Sequence, residues 1–168
     1  MLKFASHRDV DLRRIRFYVF EQGNNNKIYV KKGKLNMKSV TPFIMFQGGI
    51  AEEAMNYYTS LIEDSEIKSI ARYGADGPGE EGTVVQAVFS LKGQEFMCID
   101  SHVDHEFTFT PSFSIFLTCD TEEEIDSLYD KMMQNGTALM PIDNYGFSKK
   151  FGWLNDQFGI SWQLNLPE

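Results

Sequence analysis

The chain repeats one order of predicted secondary structure twice, and this repeat constrains the fold more than any other feature. The apolar stretch "TPFIMFQGG" predicts a strand, and it is followed by "IAEEAMNYYTSLIED", in which apolar residues recur at helical spacing. Three predicted strands come next: "SEIKSIARYG", "GTVVQAVFSLKG" and "QEFMCID". About 70 residues after its first start, the order begins again with the apolar stretch "SFSIFLTCD".

The second half follows the same plan. The stretch "TEEEIDSLYDKMMQNG" predicts a helix, with Thr121 and Glu124 as a capping box and Gly136 as its stop. "TALMPID", "FSKKFGWLND" and "GISWQLNL" predict three more strands. The chain therefore predicts an α+β fold of two βαβββ modules, about residues 39–101 and 112–166, with residues 100–111 as the linker. Each module is too small to bury both its helix and its sheet, so we expect the two to share a curved mixed sheet around a cavity.

Length and composition place the chain among soluble globular proteins. With 168 residues, of which 42 % are hydrophobic, it can bury the core of one domain or of two small fused halves. No apolar run approaches the ~20 residues of a membrane span, and no secretory signal pattern is present. Cys98 and Cys119 lie in apolar runs, which favours buried reduced thiols over a disulfide. We therefore expect a cytoplasmic protein.

Charge divides the chain into a basic leader and an acidic body. Residues 1–36 carry nine Lys or Arg and three acidic residues, whereas the remaining residues carry seven basic and 21 acidic ones. Two β-rich runs flank the turn-forming "GNNN", so the leader predicts a basic β-hairpin. An extension packed on its own domain is favoured over a nucleic-acid-binding arm, because the acidic body repels phosphate. A third hypothesis is that residues 1–36 are a translated leader and that the natural protein begins at Met37.

Three stretches carry a resemblance to a known group of proteins: "TPFIMFQGGIAEEAMNYY", "SFSIFLTCDTEEEID" and "YGFSKKFGWLNDQFGISWQLN". They resemble the vicinal oxygen chelate superfamily of glyoxalase I, extradiol dioxygenases and antibiotic resistance proteins, and within it the PhnB-like branch. The resemblance covers about residues 39–166. It implies a glyoxalase-like domain at residues 37–168 and a homodimer. Members of the branch are often labelled ubiquinone-pathway methyltransferases, but "QGGIAEE" lacks the third glycine and the α/β alternation of a nucleotide-binding turn.

The resemblance also supplies a plan for a metal site. Enzymes of the superfamily place His, Gln or Glu on the first and last strands of each module, where four side chains converge on a divalent ion. On this chain the plan puts Phe43 at the first position, Asp100 at or just beyond the second, Ser112 or Phe113 at the third, and Gln163 at the fourth. Because phenylalanine cannot ligate a metal and serine is a poor ligand, we expect no metal cofactor. A slip of one residue in the alignment would bring Gln47 into consideration, so a divalent metal stays open.

A second candidate for a metal site is the run of His102, Asp104, His105 and Glu106, whose two histidines stand three residues apart. The run lies in the predicted linker and lacks a remote third ligand, so a solvated loop is the favoured interpretation. No Ser-His-Asp or Cys-His arrangement is indicated. Asp156 is expected to cap the turn "NDQFG", in which Gly159 takes a positive φ.

Strand alternation predicts the lining of the cavity. One face of the first strand and one face of the last strand should point into it, with two aromatic residues nearby on the adjoining strand. The predicted lining is Phe43, Met45, Gln47, Phe151, Trp153, Ser161, Gln163 and Asn165. Such a lining suits a neutral or aromatic small molecule. The leading hypothesis is thus binding of a small hydrophobic or aromatic ligand without a metal. The alternatives are a metal-dependent lyase, isomerase or dioxygenase, and a structural or regulatory homodimer with a filled cleft.

Overall fold

The computed structural model describes residues 17–20, 29–32 and 37–168, and the chain divides into two compact units, Met1–Val40 and Thr41–Glu168. In the first unit, strands β1 (Phe17–Phe20) and β2 (Tyr29–Lys32) pair antiparallel, with Phe17 opposite Lys32. This confirms the pairing of the two β-rich runs. The intervening "GNNN" turn lies outside the described residues, and the alternative start at Met37 stays a prediction.

The second unit contains both predicted modules. The first module has its strands in the order β3-β6-β5-β4, with β3 parallel to β6 and the other pairs antiparallel. Its elements are β3 (Phe43–Gln47), α1 (Ala51–Leu61), β4 (Glu66–Arg72), β5 (Val84–Leu91) and β6 (Gln94–Ser101). Strand β6 thus continues through Ser101, so the linker predicted to begin at residue 100 begins after this strand.

The second module repeats this topology. Its strand order is β7-β10-β9-β8, and β7 is again parallel to β10 while the other pairs are antiparallel. Its elements are β7 (Ile115–Thr118), α2 (Glu122–Met132), β8 (Thr137–Asp143), β9 (Lys150–Asn155) and β10 (Ser161–Leu166). The predicted α+β repeat is confirmed, with its strands in two four-stranded mixed sheets.

Both helices begin where a carboxylate or hydroxyl satisfies a free main-chain N–H. At the start of α1, the Ala51 main-chain N–H donates to the buried carboxylate of Asp100 in β6 at 2.9 Å. The second oxygen of Asp100 accepts from the Val84 main-chain N–H, also at 2.9 Å. In α2 the Thr121 hydroxyl accepts from Glu124 N at 3.1 Å, and Glu124 Oε2 accepts from Asp120 N at 2.8 Å. The predicted capping box is confirmed, although the glutamate reaches the residue before the cap.

Alternation along β3 and β10 separates a core face from an outer face. Ile44 and Phe46 of β3 are buried, whereas the intervening residues are half-buried or exposed. In β10 Trp162, Leu164 and Leu166 are buried. Since residues of α1, α2 and both sheets belong to one apolar cluster, the two modules share a core.

A polar contact crosses this core. The Tyr58 hydroxyl of α1 and the Trp162 indole N–H of β10 both donate to Asp156 Oδ2, each at 2.8 Å. The rings of Tyr58 and Trp162 lie 5.2 Å apart between centroids. These contacts therefore connect α1 of the first module to the turn at Asp156 and to β10 of the second module.

The two helices of residues 37–168 contain 11 residues each. A membrane-spanning helix needs about 20 mainly apolar residues. Neither helix in this described region is long and apolar enough to cross a membrane.

Candidate functional site

A groove of about 230 Å³ lies where the two modules meet the linker. We call it the inter-module groove. Six apolar residues contribute to its walls: Phe43, Ile44, Phe109, Phe113, Ile115 and Ile160. Thr108, Thr110 and Ser161 add hydroxyl groups. The groove is thus mainly apolar, and its polar side-chain groups are hydroxyls.

A second cavity of about 190 Å³ lies beside it. Met45 and Gln47 of β3 contribute to its walls, together with Ile50, Phe107 and Phe158. Thr108 and Phe109 line both cavities, so these two linker residues form a common wall.

Hydrogen bonds connect four side chains at the Ser161 end of the groove, and we call this set the hydroxyl cluster. The hydroxyl oxygens of Ser114 and Ser161 lie 2.7 Å apart, and the Trp153 indole N–H donates to Ser161 Oγ at 2.9 Å. Gln163 Nε2 donates to Ser114 Oγ at 3.3 Å. The antiparallel register produces this cluster, because it places Gln163 opposite Trp153 on the same face of the sheet.

The structure brings most of the predicted lining to the two cavities or to the hydrogen-bonded cluster. Phe43 is 55 % exposed and lines the inter-module groove together with Ser161. Met45 and Gln47 instead line the neighbouring cavity. Trp153 and Gln163 are not among the lining residues of either cavity; they are hydrogen-bonded to Ser161 and Ser114 in the hydroxyl cluster.

Two of the predicted lining residues are engaged elsewhere. Phe151 is buried against the rings of Phe147 and Tyr145, at centroid distances of 5.1 and 6.4 Å. The amide oxygen of Asn165 accepts from the Ser148 hydroxyl. Both side chains therefore stabilise the connection that precedes β9.

Sequence reasoning missed Ser114 and the contribution of the linker residue Phe109, and it considered Phe113 only as a metal position. The alternation of aromatic residues and threonine in "EFTFTP" was the available signal, because it is typical of an extended segment with one apolar face. Alternation alone does not say which strand such a segment will contact.

The positions that the superfamily uses for a metal hold side chains with other partners. Asp100 points into the core, where both of its carboxylate oxygens accept main-chain N–H groups. Phe43 and Phe113 supply no ligand atom. Ser112 bonds to the Thr110 hydroxyl at 2.7 Å. Within residues 37–168 no three His, Cys, Asp or Glu side chains group in a way that could hold a metal ion.

The two histidines of the linker have separate partners. His102 Nδ1 lies 3.3 Å from the Tyr73 hydroxyl, and His105 Nε2 lies 3.0 Å from Ser101 Oγ. The His105 ring also stacks on Phe107 at 4.7 Å. The two imidazoles therefore have different partners.

Burial shifts the pKa values of two ionisable groups beneath the site. Desolvation raises the pKa of the Asp156 carboxyl, and its hydrogen bonds from Trp162, Tyr58 and two main-chain N–H groups oppose that rise. Desolvation also raises the pKa of the Tyr58 hydroxyl well above its usual value, with the Asp156 charge adding to the rise. These groups join the modules and lie in the core.

Paired βαβββ modules, each with its first strand parallel to its last, define the glyoxalase-like class of α+β proteins. The profile of the family described as 3-demethylubiquinone-9 3-methyltransferase matches residues 38–165. The chain belongs to this family, in its PhnB-like branch. The curated proteins include no match to the chain.

One solved structure supports this assignment, and two more distant ones share the fold. A Bacillus cereus protein named PhnB and 3-demethylubiquinone-9 3-methyltransferase is 62 % identical, with a TM-score of 0.74, and the match covers 77 % of this chain and 99 % of that one. A Pseudomonas aeruginosa protein shares the fold at 22 % identity and a TM-score of 0.67, over 78 % and 98 % of the two chains. The fosfomycin resistance protein FosX of Listeria monocytogenes shares it at 10 % identity and a TM-score of 0.52, over 80 % and 96 %.

Proposed function

We propose that the protein binds a small hydrophobic or aromatic molecule in the inter-module groove, with its own side chains and without a metal. The observation that carries the proposal is the groove itself, in which six apolar side chains from both modules and the linker surround about 230 Å³. Sites of this kind bind through apolar burial and take their specificity from a few polar groups. No Lys, Arg or His belongs to the lining of this described groove. The lining therefore favours a neutral ligand over a phosphate.

The hydroxyl cluster gives the groove one polar end. Gln163 uses Nε2 to contact Ser114, and its Oε1 makes no hydrogen bond to another described residue. This oxygen is available to accept from a ligand O–H or N–H. A phenol or a related aromatic with one donor group fits both the apolar walls and this end.

The metal-free part of the proposal rests on the donor set. Phe43 and Phe113 stand where two ligands would be needed, and the Asp100 carboxylate is saturated by main-chain N–H groups. Elemental analysis of protein purified without a chelator tests this part. We expect less than stoichiometric metal, and a near-stoichiometric content of Ni, Zn, Fe or Mn would favour the metal-dependent lyase, isomerase or dioxygenase instead.

The family name implies methyl transfer from a nucleoside-containing cofactor. In nucleotide-binding folds a glycine-rich turn offers a free helix N-terminus to the ligand. Here the turn is Gly48-Gly49, and the Asp100 carboxylate already accepts the Ala51 N–H at the start of α1. We therefore propose that the chain is not a methyltransferase of this kind. Calorimetric titration with S-adenosylmethionine should give no binding heat, and saturable binding would contradict the proposal.

Ligand binding is testable through Trp153, which is half-buried and bonds to Ser161 at the groove. Phenol and 2-naphthol titrations should change its fluorescence, and the same titrations on Trp153→Phe record the contribution of Trp162, which is fully buried in the core. Phe43→Ala should weaken binding roughly fivefold to thirtyfold, since truncating a well-placed aromatic contact costs about 1–2 kcal/mol.

Phe147→Ala is the matched control, because Phe147 is 62 % exposed and lies outside the groove lining. It should bind like the wild type. The absence of binding by either probe would favour the filled-cleft hypothesis, and equal losses in both variants would move the site away from the groove.

We also propose that the protein is a homodimer in the cytoplasm. Exposed aromatic residues favour association, since Phe113 and Phe116 are each more than half exposed. Cys98 and Cys119 are free buried thiols, which suits a reducing compartment. Light scattering on a sizing column should give twice the chain mass of 19.3 kDa, and a monomer at micromolar concentration would contradict the dimer.

A further inference from the structure

We infer that Gln47 sets the size of ligand that the protein accepts, by holding residues 105–109 of the linker as the wall between the two cavities. We call these residues the linker strap. The inference deepens the proposed function and rests on it, since it concerns the ligand of the same groove.

The side chain of Gln47 hydrogen-bonds to the main chain of the linker strap, much as the main chain of a neighbouring strand would. Its Nε2 donates to the Phe107 carbonyl at 3.0 Å, and its Oε1 accepts from the His105 N–H at 2.7 Å. The two partners define the orientation of the amide, because one is an acceptor and the other a donor. Both hydrogen-bonding ends of this side chain are therefore committed to the linker.

The strap has few other main-chain attachments. Among the described residues, the hydrogen bonds that involve the main chain of residues 104–109 are the two from Gln47. Its side chains add weaker contacts, since Phe109 packs edge-on against Phe46 at 5.6 Å and His105 lies 3.0 Å from the Ser101 hydroxyl. The amide of Gln47 therefore provides the directional restraint on this segment.

The restrained segment is also the wall between two cavities. Thr108 and Phe109 line the groove of about 230 Å³ on one side and the cavity of about 190 Å³ on the other. Displacement of the strap would join the two spaces into one site of nearly twice the volume. With the strap held, the groove should prefer a one-ring ligand, and with the strap released it should admit a two-ring ligand.

Gln47→Met tests this inference with little change in shape. Methionine is close in length to glutamine but makes neither hydrogen bond. The strap groups that it leaves behind can reach water, because Phe107 is 60 % exposed and His105 is half-buried. Gln94→Met is the control, since Gln94 is exposed at the start of β6 and, among the described residues, its side chain bonds only to the neighbouring Glu95 carbonyl.

Two measurements are made on each full-length protein. Hydrogen exchange of the His105 amide, whose N–H donates to Gln47 Oε1, should become at least tenfold faster in Gln47→Met and stay unchanged in Gln94→Met. The ratio of the phenol Kd to the 2-naphthol Kd should rise about tenfold in Gln47→Met, because the larger probe gains space. The control should keep the wild-type ratio.

Each outcome decides a separate point. Unchanged exchange would overturn Gln47 as the restraint, and faster exchange with an unchanged Kd ratio would overturn its role in ligand size. If the wild type binds neither probe, the proposed function itself is contradicted and the ligand-size inference falls with it. A lower melting temperature with the same exchange pattern and ratio would identify Gln47 as a structural residue only.

Discussion

Asp156 joins local turn geometry to the packing of the two modules. Its Oδ1 accepts from the main-chain N–H groups of Phe158 and Ile160 at 2.8 and 2.9 Å, which closes the predicted turn. Gly159 takes a φ of +86°, as the turn prediction required. Oδ2 meanwhile accepts from Tyr58 and Trp162. One carboxylate therefore satisfies four donors in a position that is 4 % exposed.

Asp156→Asn should lower the free energy of unfolding by about 2–3 kcal/mol, since an amide removes the charge and presents its own donors to donors in the core. Urea unfolding followed by circular dichroism measures the change. Asp64→Asn, at a side chain that is 83 % exposed, is the control and should stay within about 0.5 kcal/mol. An unchanged free energy of unfolding in Asp156→Asn would show that the four hydrogen bonds contribute little.

The two cysteines should be unreactive in the folded protein. Desolvation raises the pKa of the Cys98 thiol from 9.0 to about 12 and that of Cys119 to about 11, with nearby carboxylates adding to both shifts. Little thiolate therefore exists at pH 8. A disulfide-exchange reagent should label both thiols only as fast as the protein opens, with Cys119 first because it lines a cavity beside α2. Labelling of native Cys98 at the rate of a free thiol would contradict this.

The same shifts predict a loss of stability at alkaline pH. Because both folded-state pKa values lie above the unfolded value, the thiols contribute their full stabilisation below about pH 9 and lose it as the pH rises through about 11 and then 12. Replacing Cys98 by Ala should therefore flatten the decline in the free energy of unfolding between pH 9 and 11. An identical decline in wild type and variant would assign it to other groups.

At the scale of elements, the connection from α2 to β8 depends on a close approach of three backbone segments. A Cβ on Gly136 would lie 2.5 Å from the Met132 carbonyl oxygen and 2.8 Å from that of Asn155. The helix ends at Met132 with Met133 as its C-cap, so Gly136 is not the helix stop that the sequence predicted. It is a packing site, where only glycine fits between the helix end and β9.

Gly136→Ala should cost about 2–3 kcal/mol, because backbone atoms cannot move aside as a flexible side chain can. Gly74→Ala is the matched control, since no atom of the described part of the chain lies within 4 Å of a Cβ there and its φ is outside the left-handed region. Thermal unfolding of both variants measures the difference. Equal melting temperatures of the two variants would show that the backbone between α2 and β8 moves to accommodate the added methyl group.

The sequence predicted the existence and type of the elements because periodicity and caps are local signals. The burial of Ala54, Met55 and Tyr58 in α1, and of Ile125 in α2, follows the predicted helical spacing. Strand registers could not be predicted in this way. The pairing of β8 with β9 shifts between Met140 and Asp143, on either side of Pro141, and β8 is an edge strand, the position in a sheet where proline is tolerated.

At the scale of the whole molecule, the candidate site arises from contacts between segments that are far apart in the chain. Gln47 meets the strap some 60 residues later, and Ser114 meets Ser161 across 47 residues. Alternation correctly indicated which residues of β3 and β10 lie on the face opposite the core. It could not show that the linker would divide the space above them, since no periodic signal reports a contact between a loop and a strand.

The central claim is that the inter-module groove binds a neutral aromatic molecule without a metal. A crystal structure of chelator-free protein soaked with 2-naphthol or phenol tests it most directly. The account predicts ring-shaped density between Phe43 and Ile160, with the donor group of the probe directed toward Gln163, and no metal peak within 3 Å of the probe. A metal ion coordinated by the outer face of β3 or β10, or a groove filled by its own side chains at a saturating probe concentration, would contradict the account.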